Sequence, residues 1–140
     1  MFSRILVPLD FTPKNRAAIK AAVRIAGISK ARTVLVHVIE RIDDGDGGKG
    51  LKRFYAGLER NAAKHLAAVA REFASKRLPV EAVILFGDRV AEVLRLSAAR
   101  RIDLLVMGSH RVPVRASTRD WGTISYKVAA LARCPVLLVK

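Results

Sequence analysis

The sequence predicts an α/β fold, namely one doubly wound domain over residues 1–140 whose five-stranded parallel sheet carries helices on both faces. Short apolar runs alternate with longer segments of helical period, which gives the order β-α-β-α-β-α-β-α-β. Two of the runs, residues 5–7 and 104–107, are apolar at every position, as expected of strands that are buried on both faces. Because crossovers between parallel strands are right-handed, only a few doubly wound strand orders remain.

The first strand and first helix are predicted from the start of the chain. Residues 4–9 form the strand, and Asp10 stands at its carboxyl end. Thr12 and Pro13 predict the helix start, with the threonine as N-cap and the proline at the first helical position. Gly27 is the predicted C-cap of this helix.

The middle of the chain predicts a strand, a linker and a long helix. Residues 33–39 are β-branched and apolar, which favours a strand. Residues 43–50 are rich in glycine and aspartate, and they predict a flexible linker. Residues 51–77 predict a helix with an apolar face. That face consists of Leu51, Phe54 or Tyr55, Leu58, Ala62, Leu66, Val69 and Phe73.

The third β-α unit starts at residue 79. A strand over residues 79–86 is followed by Asp88, which is the predicted N-cap of the third helix. The inner positions of that helix are predicted to be Val90, Val93, Leu94 and Ala98.

The last β-α-β unit begins with the apolar run 104–107, which ends at Gly108. A helix is predicted to open at Gly122 and Thr123, with Ile124, Val128 and Leu131 on one side. Residues 136–139 form the last strand. The long loop between strand and helix therefore leaves the carboxyl end of a strand and enters the amino end of a helix. Ligands bind there in open α/β sheets, and free N–H groups at a helix start attract anions.

The C-terminal stretch resembles the universal stress protein family, whose pattern is Gly-x-x-Gly, nine residues, then Gly-Ser/Thr. The matching residues are Gly108, Ser109, His110, Gly122, Thr123 and the ending 134–140. Arg111 stands where the pattern has its second glycine, and ten residues (112–121) rather than nine precede Gly122.

The resemblance implies an adenine nucleotide alpha hydrolase-like fold with strand order 3-2-1-4-5, which places Asp10 opposite the glycine loop. It implies ATP or AMP as the ligand, with Mg²⁺ only as part of the nucleotide complex. The implied contacts are Asp10, Val38, Met107, Gly108, Ser109, Gly122, Thr123 and Ile124, and Arg111 joins them. The Arg111 side chain fills the pocket, contacts phosphate or points into water.

The last strand also predicts a homodimer. Residues 135–139 form an edge strand in the family's order, and they are apolar up to Lys140. An uncovered apolar edge favours aggregation, and closed two-fold pairing removes that edge.

The charge balance is strongly basic, with 26 Lys and Arg against 12 Asp and Glu, a net charge of +14. The basic residues are spread along the chain with no compact stripe and no interleaved aromatic residues, so we expect no specific nucleic-acid ligand. No apolar run approaches the ~20 residues of a membrane span, and the N-terminus lacks signal-peptide features. The single cysteine, Cys134, fits a reducing cytoplasm.

No enzyme class is indicated by the sequence. His37, His65 and His110 show no metal-ligand spacing, and no residue is identifiable as a general base for phosphoryl transfer. The leading hypothesis is a small cytoplasmic stress-response module that binds an adenine nucleotide with at most slow hydrolysis. The alternatives are a dimeric protein-interaction module that has lost the nucleotide and serves an unknown client, and an enzyme acting on a phosphorylated small molecule.

Overall fold

The computed structural model describes residues 1–41, 48–110 and 123–140. Its elements in chain order are β1 (Arg4–Pro8), α1 (Asn15–Ser29), β2 (Arg32–Ile39), α2 (Lys49–Ala74), β3 (Val80–Phe86), α3 (Arg89–Ala99), β4 (Leu104–Gly108), α4 (Ile124–Leu131) and β5 (Val136–Val139). All strands are parallel and lie in the order β3-β2-β1-β4-β5, so the predicted order 3-2-1-4-5 is confirmed.

The sheet is packed on both faces. Successive side chains of a strand point to opposite faces, so Ile5 and Val7 pack with α1 and α2, whereas Leu6 packs with α3 and α4. Phe73 of α2 is fully buried in the first layer, and Val128 of α4 is fully buried in the second. Full burial of side chains of this size stabilises the fold by about 1.5–3 kcal/mol each, which explains the apolar strand runs.

The connections that follow β1 and β4 leave the sheet on opposite faces and open a crevice between them. The chain leaves β1 through α1 toward β2 on one face, and it leaves β4 through α4 toward β5 on the other face. β1 and β4 are neighbours in the sheet, and the chain continues from them in opposite directions along it. Their carboxyl ends therefore form the topological switch point of the sheet.

The predicted caps of the first helix are wrong. α1 begins at Asn15, and a turn precedes it in which the Thr12 carbonyl accepts from the Asn15 N–H at 3.1 Å. The Thr12 side chain bonds to Asp10 instead of capping the helix. Gly27 lies inside α1, which continues to Ser29 and ends at Lys30 in the left-handed conformation.

Several predicted inward positions are exposed. Leu58 is 37% exposed, Phe54 53% and Leu131 62%, and Ala98 is exposed because the last turn of α3 buries Leu96 and Ser97 instead. The 26 residues of α2 span about 39 Å, whereas the eight residues of β2 span only about 27 Å, so one end of the helix overhangs the sheet. α2 begins at Lys49, so residues 49–50 of the predicted linker are helical, and residues 43–47 lie outside the described residues. The helix ends at Ala74 rather than at residue 77.

Three helix-to-strand connections place a basic residue in the left-handed conformation. These residues are Lys30, Arg77 and Arg101, with φ of 56°, 58° and 51°. Left-handed backbone costs a residue with a side chain roughly 1–2 kcal/mol. A positive charge near a helix C-terminus offsets ~0.3–1 kcal/mol of this cost. All three connections lie at the amino end of the parallel sheet, which therefore collects positive charge.

Candidate functional site

A cavity of about 210 Å³ lies between the carboxyl ends of β1 and β4. Residues that are far apart in the sequence line it together. The predicted site residues in its lining are Asp10, Val38, Met107, Gly108, Ser109, Thr123 and Ile124. The other two predicted site residues, Arg111 and Gly122, lie outside the described residues.

Asp10 presents a partly engaged carboxylate to this crevice. Its Oδ1 accepts hydrogen bonds from the Thr12 N–H at 3.0 Å and from the Thr12 hydroxyl at 2.7 Å. No described residue meets the distance and angle of a hydrogen bond at Oδ2, although the nearby Asn15 side chain also interacts with the carboxylate. The carboxylate therefore closes a local turn with one oxygen and leaves the other for a ligand.

The surroundings of Asp10 favour its ionised form. Burial by itself would raise the pKa of Asp10. The hydrogen bonds from Thr12, the Asn15 side chain and the charge of Arg89 outweigh burial and hold that pKa below its ordinary value of 3.8. At neutral pH the crevice thus contains a carboxylate anion.

The loop from β1 to α1 is held in one conformation by Asn15. This buried side chain accepts from the Asp10 N–H at 3.0 Å and from the Phe11 N–H at 2.8 Å through one oxygen, Oδ1. Phe11 has a φ of 63°, which costs a residue with a side chain roughly 1–3 kcal/mol. Its ring is stacked on His37 at 4.2 Å and on His65 at 4.6 Å between ring centroids. These contacts offset the strain and fix the direction of Asp10.

His37 connects β2 to the same loop. Its Nδ1 lies 2.7 Å from the Leu9 carbonyl oxygen, and because a carbonyl only accepts, Nδ1 carries the proton. In the neutral ring Nε2 is then an acceptor. Burial lowers the pKa of His37, and the positive charge of Arg89 acts in the same direction, against the Leu9 hydrogen bond and Asp10, which raise it. The His37 side chain is half-buried, and it also lines the crevice.

Gly108 is required by a close backbone contact rather than by a turn. A Cβ at this position would lie 2.5 Å from the Lys14 carbonyl oxygen and 3.0 Å from the Lys14 carbonyl carbon. Any side chain would push the start of α1 away from the end of β4. The glycine therefore sets the width of the crevice.

The start of α4 carries hydroxyls and free backbone donors. Ser125 Oγ lies 3.0 Å from Ser109 Oγ and 3.2 Å from Thr123 Oγ1. Thr123 occupies the N-cap position but makes no side-chain cap hydrogen bond. The Ile124 and Ser125 N–H groups accordingly have no acceptor within the described residues. A helix start of this kind stabilises an anion.

Two cations in the crevice were missed by the sequence analysis. Lys14 directly precedes α1, and Arg89 is the first residue of α3. Arg89 forms an ion pair with Glu40 at 3.6 Å in which both side chains are about half-exposed. It directly follows Asp88, whose predicted role as N-cap is confirmed by a 2.8 Å hydrogen bond from the Ala91 N–H. The predicted cap at Asp88 could have indicated Arg89. A helix that starts at Asp88 begins at the same end of the sheet as Asp10, so its first residue lies near the crevice.

Within the described parts of the chain, metal-binding clusters and membrane-spanning helices are both absent. No cluster of three or more His, Cys, Asp or Glu there is placed to hold a metal ion. No helix in those parts combines the length and the apolar character needed to cross a membrane.

Comparisons with known proteins agree in sequence and in fold. The model of the Universal stress protein family matches residues 1–140. A Thermus aquaticus protein described as "Universal stress protein in QAH/OAS sulfhydrylase 3'region" is 32% identical over 141 residues, which cover 100% of both chains. The solved structure of MJ0577, a universal stress protein of Methanocaldococcus jannaschii, superposes with a TM-score of 0.85 at 22% identity, covering 100% of this chain and 96% of that one.

Two further solved structures were determined with nucleotides. A universal stress protein in complex with cAMP has a TM-score of 0.74 at 17% identity, covering 99% of this chain and 97% of its own. A universal stress protein from Archaeoglobus fulgidus in complex with dAMP has a TM-score of 0.68 at 14% identity, with coverages of 99% and 98%. These likenesses establish the fold, and the whole-length family match establishes the kinship. The chain belongs to the universal stress protein family.

Proposed function

We propose that this protein is a small cytoplasmic stress-response module that binds an adenine nucleotide of the ATP or AMP class in the crevice. The observation that carries the proposal is the pairing, across one cavity, of a carboxylate with a helix start that no described residue caps. Asp10 offers Oδ2 from one side, and α4 offers the Ile124 and Ser125 N–H groups from the other. A ribose or a phosphate-bound Mg²⁺ suits the first group, and phosphate suits the second.

The end of β2 supplies groups that suit the base. The Val36 carbonyl accepts from the Leu9 N–H at 2.8 Å, and the Ile39 carbonyl accepts from the Gly87 N–H at 3.0 Å. Backbone groups alternate in direction along a strand, so those of Val38 point toward the β1 side, as those of Val36 do. The register of β1 with β2 ends at Pro8 and Val36. Val38 thus has a donor and an acceptor facing the cavity, which matches the hydrogen-bonding edge of adenine.

The charge of the crevice supports an anionic ligand. Lys14 and Arg89 line it together with Asp10, and the charge of Arg89 is partly balanced by its ion pair with Glu40. Family members that were solved with cAMP and dAMP support the same ligand class. Hydrolysis is at most slow in this proposal, and product analysis after long incubation with ATP and Mg²⁺ tests that point.

Calorimetry with matched variants tests the nucleotide proposal. ATP, AMP and GTP are titrated into the wild type and into Asp10→Ala, with and without Mg²⁺. Glu59→Ala is the control, because it removes an exposed carboxylate from α2. We expect adenine nucleotides to bind the wild type and Glu59→Ala alike, and Asp10→Ala to bind them at least tenfold more weakly.

Arg111→Gly extends the experiment to the loop. This variant tightens ATP binding if the arginine fills the pocket, and it weakens binding if the guanidinium contacts phosphate. Absence of heat at millimolar nucleotide with both the wild type and Arg111→Gly would refute nucleotide binding. The interaction-module hypothesis would then take its place.

The interaction-module hypothesis is favoured by one observation at the sheet edge. β5 is an edge strand, Leu137 is 38% exposed, and Leu131 of the preceding helix is 62% exposed. We propose a homodimer through residues 135–139, because two-fold pairing covers such an edge. Leu137→Lys is expected to shift the protein toward monomer in sedimentation at tens of micromolar. A monomeric wild type at that concentration contradicts the dimer.

A further inference from the structure

A second cavity lies at the opposite end of the sheet, where the strands begin. Its volume is about 620 Å³, and four arginines contribute to its lining: Arg4, Arg32, Arg100 and Arg101. These residues are distant in sequence. They meet because parallel strands begin at one edge and the helices that lead into them end there.

Arg4 and Arg32 form the centre of this basic groove. They are register partners on the neighbouring strands β1 and β2, so their backbones are roughly 4.7–4.9 Å apart. By the alternation of side chains, both point to the face that carries Leu6 and Val34, which is the face of α3. Like charges directly opposite each other on neighbouring strands repel. Neither guanidinium has a hydrogen bond or ion pair with any described residue.

The nearby acidic groups in the described chain are already engaged. Glu81 accepts two hydrogen bonds from Arg100, at 2.5 Å and 2.9 Å. Asp103 accepts from the backbone N–H groups of Ser3 at 2.8 Å and Arg4 at 2.9 Å. Glu81 therefore pairs with Arg100 and Asp103 caps the start of β1, and neither carboxylate forms an ion pair with the described guanidinium groups of Arg4 and Arg32.

The helix dipole explains two of the four arginines in this groove, but not Arg4 and Arg32 at its centre. Basic residues near helix C-termini complement the helix dipole, and this explains Arg100 and Arg101 at the end of α3. Arg4 and Arg32 are the first residues of strands, where no such dipole acts. Neither a helix dipole nor an ion pair within the described residues offsets their repulsion, and an anion between them would do so.

We propose that the basic groove binds a small anion with two or more adjacent phosphate groups. Guanidinium groups bind phosphate oxygens through two parallel hydrogen bonds, and two neighbouring guanidiniums suit a compact, highly charged group. A volume of about 620 Å³ lies within the ~300–1,000 Å³ of small-molecule sites. Val34, Val80 and Ile102 supply an apolar wall for the remainder of the ligand.

The groove is independent of the crevice described above. The five residues of β1 span roughly 16 Å between the two ends of the sheet. One small molecule does not reach both cavities, so each is expected to fill without the other. The proposal therefore stands or falls separately from nucleotide binding.

Calorimetry with sodium tripolyphosphate in ~0.15 M salt without Mg²⁺ tests the groove. The test variant is Arg4→Gln with Arg32→Gln. The matched control is Lys20→Gln with Arg24→Gln, which removes the same charge from exposed positions of α1. We expect saturable one-to-one binding to the wild type, at least tenfold weaker binding to the test variant, and less than a twofold change in the control. Saturating AMP and Asp10→Ala, which act on the crevice, should leave this binding unchanged.

A charge-preserving variant guards against misfolding. Arg4→Lys with Arg32→Lys keeps the net charge but loses the paired hydrogen bonds, so we expect binding to weaken several-fold while thermal unfolding stays close to that of the wild type. Equal losses in the test and control variants would reduce the binding to diffuse electrostatics and overturn the proposal. No binding to the wild type would overturn it as well. So would groove-dependent binding of a 12-nucleotide single strand without binding of tripolyphosphate, because that result assigns the groove to nucleic acid.

Discussion

The two ends of the sheet hold charged groups in opposite ways. At the carboxyl end, Asp10 is fixed by Thr12 and by the loop that Asn15 holds, and Gly108 brings the backbone of α1 close. The cavity there is small, about 210 Å³, and it is bounded by short contacts. At the amino end the cavity is about 620 Å³, and Arg4 and Arg32 extend from it without described partners.

The carboxyl end is therefore suited to recognise a ligand by shape and hydrogen-bond geometry, and the amino end is suited to recognise one by charge. Short hydrogen bonds and the steric restriction at Gly108 depend little on salt. Interactions between exposed charges, in contrast, are screened over about 8–10 Å at moderate ionic strength. Substitutions at the carboxyl end should therefore change the local conformation of the site. Substitutions at the amino end should change the electrostatic potential and leave the conformation as it is.

The largest effect is expected at Gly108. Gly108→Ala places a methyl group 2.5 Å from the Lys14 carbonyl oxygen, so the backbone of α1 or β4 must move. We expect a loss of about 1–3 kcal/mol in the free energy of unfolding, together with more than tenfold weaker nucleotide binding. Urea denaturation and calorimetry measure the two quantities.

Gly27→Ala is the matched control for that substitution. A Cβ at Gly27 meets no atom within 4 Å, and the residue lies inside α1. The change should raise stability by about 0.5–1 kcal/mol, since alanine is the better helix former. Equal effects of the two substitutions would show that the approach at Gly108 is not tight in solution.

The contrast also explains what the sequence could predict. The alternation of apolar runs and helical segments is a local property, so the elements follow from it, and the family resemblance supplied the strand order that the structure confirms. The role of Gly108 depends on Lys14, which is distant in sequence, so the sequence alone did not indicate this close contact. Thr12 failed as a cap because Asp10, two residues away, competes for its hydroxyl.

The distribution of charge was misjudged for a related reason. The basic residues are dispersed along the chain, and no compact stripe is visible in the sequence. Parallel topology brings Arg4, Arg32 and Arg101 to one cavity, because each lies at or just before the start of a strand. Arg89 reaches the other end by the same logic, as the first residue of a helix. Charge clustering is therefore visible only after the strand directions are known.

A smaller effect is expected at Asn15. Asn15→Ala removes the acceptor of the Asp10 and Phe11 N–H groups, and it leaves the left-handed Phe11 without that support. We expect a loss of about 1–2 kcal/mol in the free energy of unfolding, and weaker nucleotide binding because Asp10 is no longer fixed. Asn61→Ala, at an exposed position of α2, is the control and should change neither quantity. Unchanged binding in Asn15→Ala would mean that the loop keeps its conformation without this side chain.

The pH dependence of stability tests the burial of His37. Because the pKa of His37 is lowered in the folded protein, the unfolded chain binds the proton more tightly. The stabilisation is present above the ordinary value of 6.5, and it is lost as the pH falls below that value toward the folded pKa. Urea denaturation between pH 8 and pH 5 should therefore show a decline in the wild type that is flatter in His37→Gln. Parallel curves would show that His37 does not titrate differently on folding.

The smallest effect, and the clearest contrast, is the repulsion between Arg4 and Arg32. A double-mutant cycle of Arg4→Gln and Arg32→Gln isolates the energy of the pair from other contributions of each side chain. The register of β1 and β2 places these charges side by side, so the cycle should give a repulsion of about 0.2–1 kcal/mol at ~10 mM salt. At ~1 M salt the screening length is about 3 Å and the coupling should nearly vanish. Tripolyphosphate at low salt should likewise abolish it, because a bridging anion converts the repulsion into shared attraction. A coupling that is independent of salt would mean that packing of the side-chain stems joins the two residues, and the amino end would then resemble the carboxyl end.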